Sequence, residues 1–213
     1  MSPGQTAKHS SWAYAEEHAE EDPVLELARA RAWQLGARPV SPGTASALQL
    51  LAAAVGASAL VEIGSGAGVS GTALLRGAPS GAVLTTIDAD PDHSAAAKEV
   101  FRAESVPASR TRMITGRAET VLPRLTAAGY DLVFINAPAE ETGHFAAEAL
   151  RLLRSGGLLL INDALDNDRV PKPAVREDST QAMRELERRL REDPQLTTAL
   201  LPTGTGLLAA VKA

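Results

Sequence analysis

Cysteine is absent from this chain of 213 residues. The absence excludes disulfide bonds, a thiolate nucleophile and any cysteine-based metal site. It also suits a reducing compartment, and we therefore expect a cytoplasmic protein. Aromatic side chains are scarce as well, at 3% of residues, although 45% are hydrophobic. Leucine, valine and alanine must therefore build the core, and the abundance of alanine favours many helices.

Dense basic patches and long apolar runs are also missing. The net charge is −5, from 21 Lys and Arg against 26 Asp and Glu. A nucleic acid is therefore not an expected partner. No apolar run reaches membrane-spanning length, and the first residues lack the apolar core of a signal peptide, so we expect no membrane partner. A chain of this length suits one domain with a sizeable core.

The most informative stretch is residues 59–71, which read ALVEIGSGAGVSG. A short apolar run followed by glycines predicts a buried strand and then a tight turn. Residues 69–75 favour a helix, and its first N–H groups lack partners within the helix and face the turn. The bare glycine backbone lets a ligand approach closely. This unit therefore predicts a site for a ligand that carries a negative group.

The glycines in this stretch fit two ligands. Gly66, Gly68 and Gly71 have the spacing of a dinucleotide-binding turn. Glu62 followed by Gly64 and the next glycines has the spacing of an S-adenosylmethionine loop. A carboxylate at the turn repels a pyrophosphate, whereas it attracts the ammonium and sulfonium groups of S-adenosylmethionine. Glu62 therefore favours S-adenosylmethionine, and the dinucleotide remains the alternative.

A second apolar run covers residues 82–87 and ends in Asp88. This acid follows the glycine loop by about twenty residues, the spacing at which a carboxylate binds the hydroxyls of a ribose. Both candidate ligands contain a ribose, so Asp88 is a cofactor-binding residue under either interpretation.

Strand and helix patterns alternate along the rest of the chain and predict a doubly wound α/β fold with a mostly parallel, seven-stranded sheet. The short turn at residues 202–206 predicts an antiparallel hairpin at the C-terminal end. Two further helices, at residues 11–20 and 23–35, precede the first strand. We therefore divide the chain into an N-terminal helical extension, residues 1–36, and a main domain, residues 37–213. The predicted strands cover residues 59–63, 82–87, 111–115, 130–135, 158–161, 196–201 and 207–211.

Polar residues follow the predicted parallel strands at their carboxyl ends, where ligands of such sheets bind. Glu62 and Asp88 close the first two strands, Asn136 follows the fourth, and Asn162 and Asp163 follow the fifth. The fold therefore predicts that these side chains share one edge of the sheet.

Five motifs together carry a family resemblance. They are VEIGSGAG at 61–68, TIDADP at 86–91, DLVFIN at 131–136, LLRSGG at 152–157 and LPTGTG at 201–206. In this order and spacing the chain resembles the class I S-adenosylmethionine-dependent O-methyltransferases of the catechol and caffeoyl-CoA type, especially their small actinobacterial members. The resemblance covers residues 40 to the C-terminus. It implies a Rossmann-like fold and methyl transfer to a hydroxyl of a small, phenolic acceptor.

The resemblance also implies cofactor contacts. Val40 would lie against the methionine part, Glu62 would face its ammonium, and Ser70 would reach its carboxylate. Asp88 would bind the ribose, and the backbone of Ala118 would touch the adenine. The remaining cofactor-binding residues implied are Gly64, Ser65, Gly68 and Glu119. A first-turn helix acid with no ligand is an alternative reading of Glu119.

The chain departs from the family at its metal site. The family has Ile-Asp-Ala-Asp-Lys after the fourth strand and Asp-Asn after the fifth. Here residues 135–139 read INAPA, and the later pair is Asn162 and Asp163. Divalent cations such as Mg²⁺ prefer charged oxygen ligands, and the residues Asn136, Asn162 and Asp163 retain one carboxylate. We therefore expect a degenerate metal site and doubt that a divalent metal is used.

Without the metal, another group must accept the proton of the acceptor hydroxyl. Asp163 is the best placed carboxylate, and His144 is the histidine nearest to this edge in sequence. Asn136 and Asn162 are candidates for acceptor binding. An intact cofactor loop beside an altered acceptor region also leaves open a protein that binds S-adenosylmethionine without catalysis.

The N-terminal helices hold both tryptophans and one of the two tyrosines. Aromatic residues concentrated in an added segment favour an interface over a core. The terminal hairpin adds an apolar edge that proteins seldom leave bare. Together with the resemblance, these features predict a homodimer. The residues concerned in the two helices are Trp12, Tyr14, Leu25, Leu27 and Trp33.

Overall fold

A computed structural model describes residues 3–213, with side chains from residue 10 onwards. Residues 1 and 2 of the predicted extension lie outside the described residues. The helices are α1 Pro3–Glu17, α2 Pro23–Gln34, α3 Pro42–Ala54, α4 Val69–Gly77, α5 Pro91–Ala103, α6 Ala118–Val121, α7 Ala139–Leu152 and α8 Asp178–Glu192. The strands are β1 Ala59–Ile63, β2 Val83–Asp88, β3 Thr111–Thr115, β4 Tyr130–Ile135, β5 Leu153–Ile161, β6 Leu196–Leu201 and β7 Leu207–Lys212.

The strands form one seven-stranded sheet in the order β3-β2-β1-β4-β5-β7-β6. Strands β1 to β5 pair in parallel, and β7 is antiparallel to both β5 and β6. The predicted fold class, including the C-terminal antiparallel hairpin, is therefore confirmed. The order reverses between β1 and β4, and loops at the carboxyl ends on either side of such a reversal open a crevice for ligands.

Capping residues set where several helices begin. Asp22 precedes Pro23 and accepts the backbone N–H groups of Val24 and Leu25. Ser41 and Asp90 cap α3 and α5 in the same way, each directly before a proline. An N-cap oxygen satisfies N–H groups that have no partner within the helix, and proline at the first position has no N–H to satisfy.

The sheet separates two cores. Residues of β1 alternate between them, with Leu60 in the core beneath α3, α4 and α5 and Val61 in the core beneath α7 and α8. This alternation follows from the two-residue period of a strand. Leu25 and Ala28 of α2 belong to the first core, so the second helix of the predicted extension shares its core with the sheet.

Two elements differ from their predicted bounds, and α6 is unusually short. β5 begins at Leu153 instead of residue 158, and its pairing with β4 jumps from Leu153 to Leu158, so residues 155–157 form a bulge within the strand. α6 is one turn long and continues as a 3₁₀ turn at Leu122–Arg124, because Pro123 lacks the N–H that a longer helix needs. α1 begins at Pro3 and ends at Glu17, before the predicted end at residue 20. Across residues 3–213, every helix falls short of the length or apolarity needed to cross a bilayer.

Candidate active site

A cavity of about 850 Å³ opens at the carboxyl ends of the parallel strands. The loops after β1, β4 and β5 form its floor, and the α2–α3 connection and the β6–β7 turn form its walls. The predicted site residues that line it are Val40, Gly64, Asp88, Asn136, Asn162 and Asp163. Residues more than a hundred positions apart in the chain therefore meet in one concave site.

The glycine loop after β1 depends on residues without a side chain. Gly64 has a φ of 89°, and a β-carbon there would lie 2.1 Å from the carbonyl oxygen of Asn136. Gly68 has a φ of 87°, and its β-carbon would lie 2.9 Å from the Cα of Ala97. Both positions combine a left-handed backbone with a close neighbour, so only glycine fits. The loop thereby brings β1, β4 and α5 together at the cavity.

Asp88 fastens the glycine loop to the end of β2. Its Oδ2 accepts the backbone N–H of Gly66 at 2.9 Å and the hydroxyl of Ser65 at 3.2 Å. Its Oδ1 accepts the backbone N–H of Asp90 at 3.0 Å. The Asp88 side chain is 11% exposed and faces the cavity. Four contacts, including one from His93, hold the carboxylate in a fixed orientation at the position predicted for ribose binding.

Glu62 lies behind the loop and is fully buried. Ser70 donates to its Oε1 and Thr86 to its Oε2, both at 2.6 Å. Burial raises the pKa of Glu62 to about 7, and the negative charge of Asp88 adds to the increase, while the two hydroxyls oppose it. Glu62 and Ser70, both predicted to face the methionine part of a cofactor, contact each other and are not among the residues that line the cavity.

The two asparagines beyond β4 and β5 bond to each other. Asn162 Nδ2 donates to Asn136 Oδ1 at 2.9 Å, because β4 and β5 pair directly and bring both strand ends to the same level. No group of three or more histidine, aspartate or glutamate side chains is arranged to hold a metal ion in the described part of the chain. Two amides and one carboxylate offer less negative charge than a site with two carboxylates, and affinity for Mg²⁺ or Ca²⁺ falls as ligand charge is removed, so these residues fit a divalent metal poorly.

Asp163 stands next to this amide pair. Its backbone is left-handed, with a φ of 54°, and its Oδ1 accepts the backbone N–H of Asn167 at 3.0 Å. Burial raises the pKa of the Asp163 carboxyl, and the charge of Asp166 acts in the same direction. A carboxylate with a raised pKa is a better proton acceptor, which suits a general base.

Besides Glu62 and Ser70, the loop residues Ser65 and Gly68 are not among the lining residues, and three more predicted site residues lie outside the glycine loop and do not line the cavity. His144 is exposed, because α7 turns Phe145 and Ala146 inward and leaves the preceding position on the outer face. Its placement does not support the catalytic role considered for it. Ala118 and Glu119 begin α6 and do not line the cavity. Arg117 donates to Glu119 at 2.8 Å and lowers the pKa of that carboxyl.

Among the lining residues that sequence reasoning missed, three have large or titratable side chains close to the glycine loop or the α2–α3 connection. Trp33, at the end of α2, is 61% exposed, and Arg38 follows in the connection to α3. His93, in the first turn of α5, contacts Asp88 through Nδ1 at 3.3 Å. Neither Trp33 nor Arg38 belongs to a motif. His93 follows Asp88 by five positions, and this proximity in the sequence was the one available signal.

Comparison with known proteins assigns the family. A sequence model of the O-methyltransferase family matches residues 15–213. A Mycobacterium tuberculosis protein described as a "probable O-methyltransferase" is 46% identical, across 99% of this chain and 95% of its own length. A solved Corynebacterium glutamicum structure is 30% identical with a TM-score of 0.88, covering 97% of each chain.

A second solved structure adds a ligand-bound relative. It is the O-methyltransferase TomG from Streptomyces achromogenes, involved in tomaymycin synthesis and solved in complex with S-adenosylmethionine. It is 25% identical with a TM-score of 0.85, over 96% of both chains. Together with the sheet order and the glycine loop, these matches confirm the resemblance. The chain belongs to the class I S-adenosylmethionine-dependent O-methyltransferase family.

Proposed function

We propose that this protein transfers a methyl group from S-adenosylmethionine to a hydroxyl of a small, phenolic acceptor, without a divalent metal. The observation that carries the proposal is the shared cavity, in which the glycine loop with Asp88 faces the amide pair with Asp163. The first set suits the cofactor, and the second suits an acceptor hydroxyl that must lose a proton. The family match and the bound S-adenosylmethionine of TomG support the cofactor.

The residues present fit S-adenosylmethionine. Val40 and the loop of Gly64, Ser65 and Gly68 would enclose its methionine part, and Asp88 would accept its ribose hydroxyls. Ala118 and Glu119, at the start of α6, do not line the cavity, and their proposed contact with the adenine rests on the family resemblance. Glu62 is too buried to reach the cavity, so we assign it an electrostatic role behind the loop. Its ionised form would favour the positive ammonium and sulfonium groups, and a pKa near 7 keeps that form accessible.

The chemistry asks the protein mainly for positioning. When bound, S-adenosylmethionine supplies a methyl group activated by the positive sulfur. The acceptor oxygen must be held in line with that methyl, which lowers the entropic part of the barrier. Asn136 and Asn162 would hold the acceptor by their amides, and Asp163 would take the proton of its hydroxyl. The amide pair thus replaces metal coordination as the means of orienting the oxygen.

The dinucleotide alternative loses support. Glu62 places a carboxylate behind the turn where a pyrophosphate would sit, and the family match is to O-methyltransferases. A non-catalytic binding protein differs from an enzyme only in turnover, so the test must measure both binding and reaction.

Calorimetry and a methylation assay test the proposal together. We expect S-adenosylmethionine and S-adenosylhomocysteine to bind and NAD not to bind. We also expect S-adenosylhomocysteine to form with at least one member of a panel of phenols and catechols, equally with and without EDTA. Binding without turnover across the panel would favour a protein that binds S-adenosylmethionine without catalysis. Binding of NAD alone would favour the dinucleotide alternative, which implies a dinucleotide-dependent oxidoreductase.

We further propose a homodimer built on the N-terminal helices. Tyr14, Leu27 and Trp33 of the two N-terminal helices are 74%, 72% and 61% exposed, and exposed apolar surface marks protein–protein contact sites where it is continuous. Leu25, grouped with them by sequence, is 5% exposed and packs into the chain's own core. The edge strand β6 contributes Leu200, which is 42% exposed.

Light scattering on the full chain tests the dimer. We expect twice the monomer mass for the native chain and the monomer mass for Leu27→Glu, because a charge at an apolar interface is left without a partner. Lys98→Glu on the exposed face of α5 is the control and should keep the dimer. A native chain that is monomeric at micromolar concentration would contradict this proposal.

A further inference from the structure

Among the residues whose side chains the structure describes, from residue 10 onwards, His93 is the one histidine that lines the cavity. It is the third residue of α5, and its side chain is 18% exposed. Nδ1 lies 3.3 Å from Asp88 Oδ1, and Nε2 lies 3.4 Å from the carbonyl oxygen of Leu35. The ring thus stands between the acid at the end of β2 and the residue that ends α2.

Every printed polar neighbour of the ring is a hydrogen-bond acceptor. An ionised carboxylate and a carbonyl only accept, so each nitrogen must carry a hydrogen to bond to its neighbour. The Asp90 carboxylate, 3.9 Å from Nε2, adds a third acceptor. A hydrogen on Nδ1 lets the ring donate to Asp88, and a hydrogen on Nε2 lets it donate to the carbonyl of Leu35.

The His93 ring joins two segments that packing already brings together. Leu35 is the C-cap of α2, and the next residue, Gly36, turns away with a φ of 72°. Carbonyls at a helix end lack partners within the helix, so a donor there satisfies a group that otherwise faces solvent. Buried alanines of α2, the α2–α3 connection, the glycine loop and α5 pack together in a small cluster. Its members are Ala32, Ala37, Ala67 and Ala96.

We propose that His93 is a positioning residue that holds the Asp88 carboxylate for cofactor binding and ties it to the end of α2. Asp88 Oδ2 is already committed to the loop, through Gly66 and Ser65. His93 fixes Oδ1, so the whole carboxylate is oriented before a ribose arrives. The N-terminal helices thereby become part of the cofactor site. This inference rests on the proposed role of Asp88 in binding S-adenosylmethionine.

A double-mutant cycle separates positioning from mere packing. S-adenosylhomocysteine affinity is measured by calorimetry for the native chain, His93→Ala, Asp88→Ala and the double variant. We expect His93→Ala to weaken binding about fivefold when Asp88 is present and to have no effect when it is absent. A packing defect would instead weaken binding in both backgrounds. Lys98→Ala, on the exposed face of the same helix, is the matched control.

His93→Lys and nitrogen-15 NMR complete the design. Lysine keeps a donor and should recover part of the affinity that alanine loses. In the native chain, NMR should find a hydrogen on Nδ1 of His93, the nitrogen that faces Asp88, and this readout needs no variant. The inference is overturned if His93→Ala binds like the native chain, if its loss is equal in both backgrounds, or if Nδ1 carries no hydrogen. Native affinity for Asp88→Ala would overturn the ribose assignment itself, which is a different result.

Discussion

The cavity has two sides, which we name by their proposed roles. The cofactor side consists of the glycine loop with Asp88, and the acceptor side consists of Asn136, Asn162 and the loop that begins at Asp163. On the cofactor side, the left-handed positions of the loop are glycines, Gly64, Gly66 and Gly68, and the nearby carboxylate bonds to backbone N–H groups. On the acceptor side, the left-handed positions are Asp163 and residues 166–168, none of which is glycine. Aspartate and asparagine tolerate this conformation better than other residues, yet at a cost of roughly 1–2 kcal/mol each.

The acceptor side compensates for that strain with side-chain contacts. Asp166 is 3% exposed and accepts from Arg169 at 2.5 Å, from Ser179 at 3.1 Å and from Thr180. These contacts tie the loop after β5 to the start of α8. The cofactor side thus depends on the absence of side chains, whereas the acceptor side depends on particular ones. The first suits a cofactor shared by a family, and the second allows the acceptor to differ among its members.

The largest expected effect is that of a substitution at Gly64, where the glycine loop on the cofactor side meets Asn136 on the acceptor side. Gly64→Ala should lower the free energy of unfolding by more than about 3 kcal/mol, because the new methyl collides with the Asn136 carbonyl. Gly56→Ala is the matched control, since Gly56 is also left-handed but has no atom within 4 Å of the added carbon. It should cost only about 1 kcal/mol. Urea denaturation measures both, and equal losses would refute the collision.

Glu62→Gln tests the burial of a carboxyl group behind the cofactor side, through the pH dependence of stability. The folded state holds a proton up to a pKa of about 7, while the unfolded chain releases it near the ordinary 4.5. This contribution to stability is complete below 4.5 and is lost as the pH rises through 7. The substitution should therefore stabilise the ligand-free protein above pH 7 by up to about 3 kcal/mol. The exposed Glu99→Gln is the control, and identical pH profiles for the native chain and Glu62→Gln would contradict the burial argument.

Asp163→Asn tests the acceptor side alone. Turnover should fall by about a hundredfold or more, since the amide cannot take a proton. Affinity for S-adenosylhomocysteine should stay within about twofold, because the change lies outside the cofactor side. Asp168→Asn, in the same loop and also left-handed, should retain activity. Activity of the native enzyme should decline with falling pH at a value above the ordinary pKa of aspartate, as burial raises the pKa of Asp163.

Asp88→Ala is the reciprocal test on the cofactor side. Affinity for S-adenosylmethionine should drop by at least roughly tenfold, about 1.4 kcal/mol, because two charge-assisted hydrogen bonds to the ribose are lost. Calorimetry measures it, with the exposed Asp92→Ala as the control. Unchanged affinity with an intact fold would remove Asp88 from the cofactor site.

The smallest expected effect is that of metal removal. Chelation should change turnover by less than about twofold, because Asn136 and Asn162 bond to each other and supply no charge for a cation. Converting both to aspartate should raise Mg²⁺ affinity, which a calorimetric titration follows. Loss of activity on chelation, restored by Mg²⁺, would show that the acceptor side works as in metal-dependent relatives.

Local pattern was sufficient for much of the fold. The five parallel strands, the hairpin and the start of α2 were predicted, because apolar period, proline and capping residues act within a few positions. The same holds for the glycine loop and Asp88, which a fixed spacing joins. The predicted start of β5 at residue 158 was wrong, because pairing with β4 begins at Leu153 and includes residues 155–157 as a bulge.

Tertiary structure alone decided the acceptor side and the exact surroundings of each charge. The sequence shows that Asn136 and Asn162 replace carboxylates, but only the pairing of β4 with β5 makes them bond to each other. Likewise, Glu62 is recognisable as an acid before a glycine loop, yet its burial between Ser70 and Thr86 gives it a pKa near 7. His93 meets Leu35, a residue 58 positions away, because α2 packs on α5. Contacts of this kind depend on how segments far apart in the sequence pack together, and a local sequence pattern does not determine that packing.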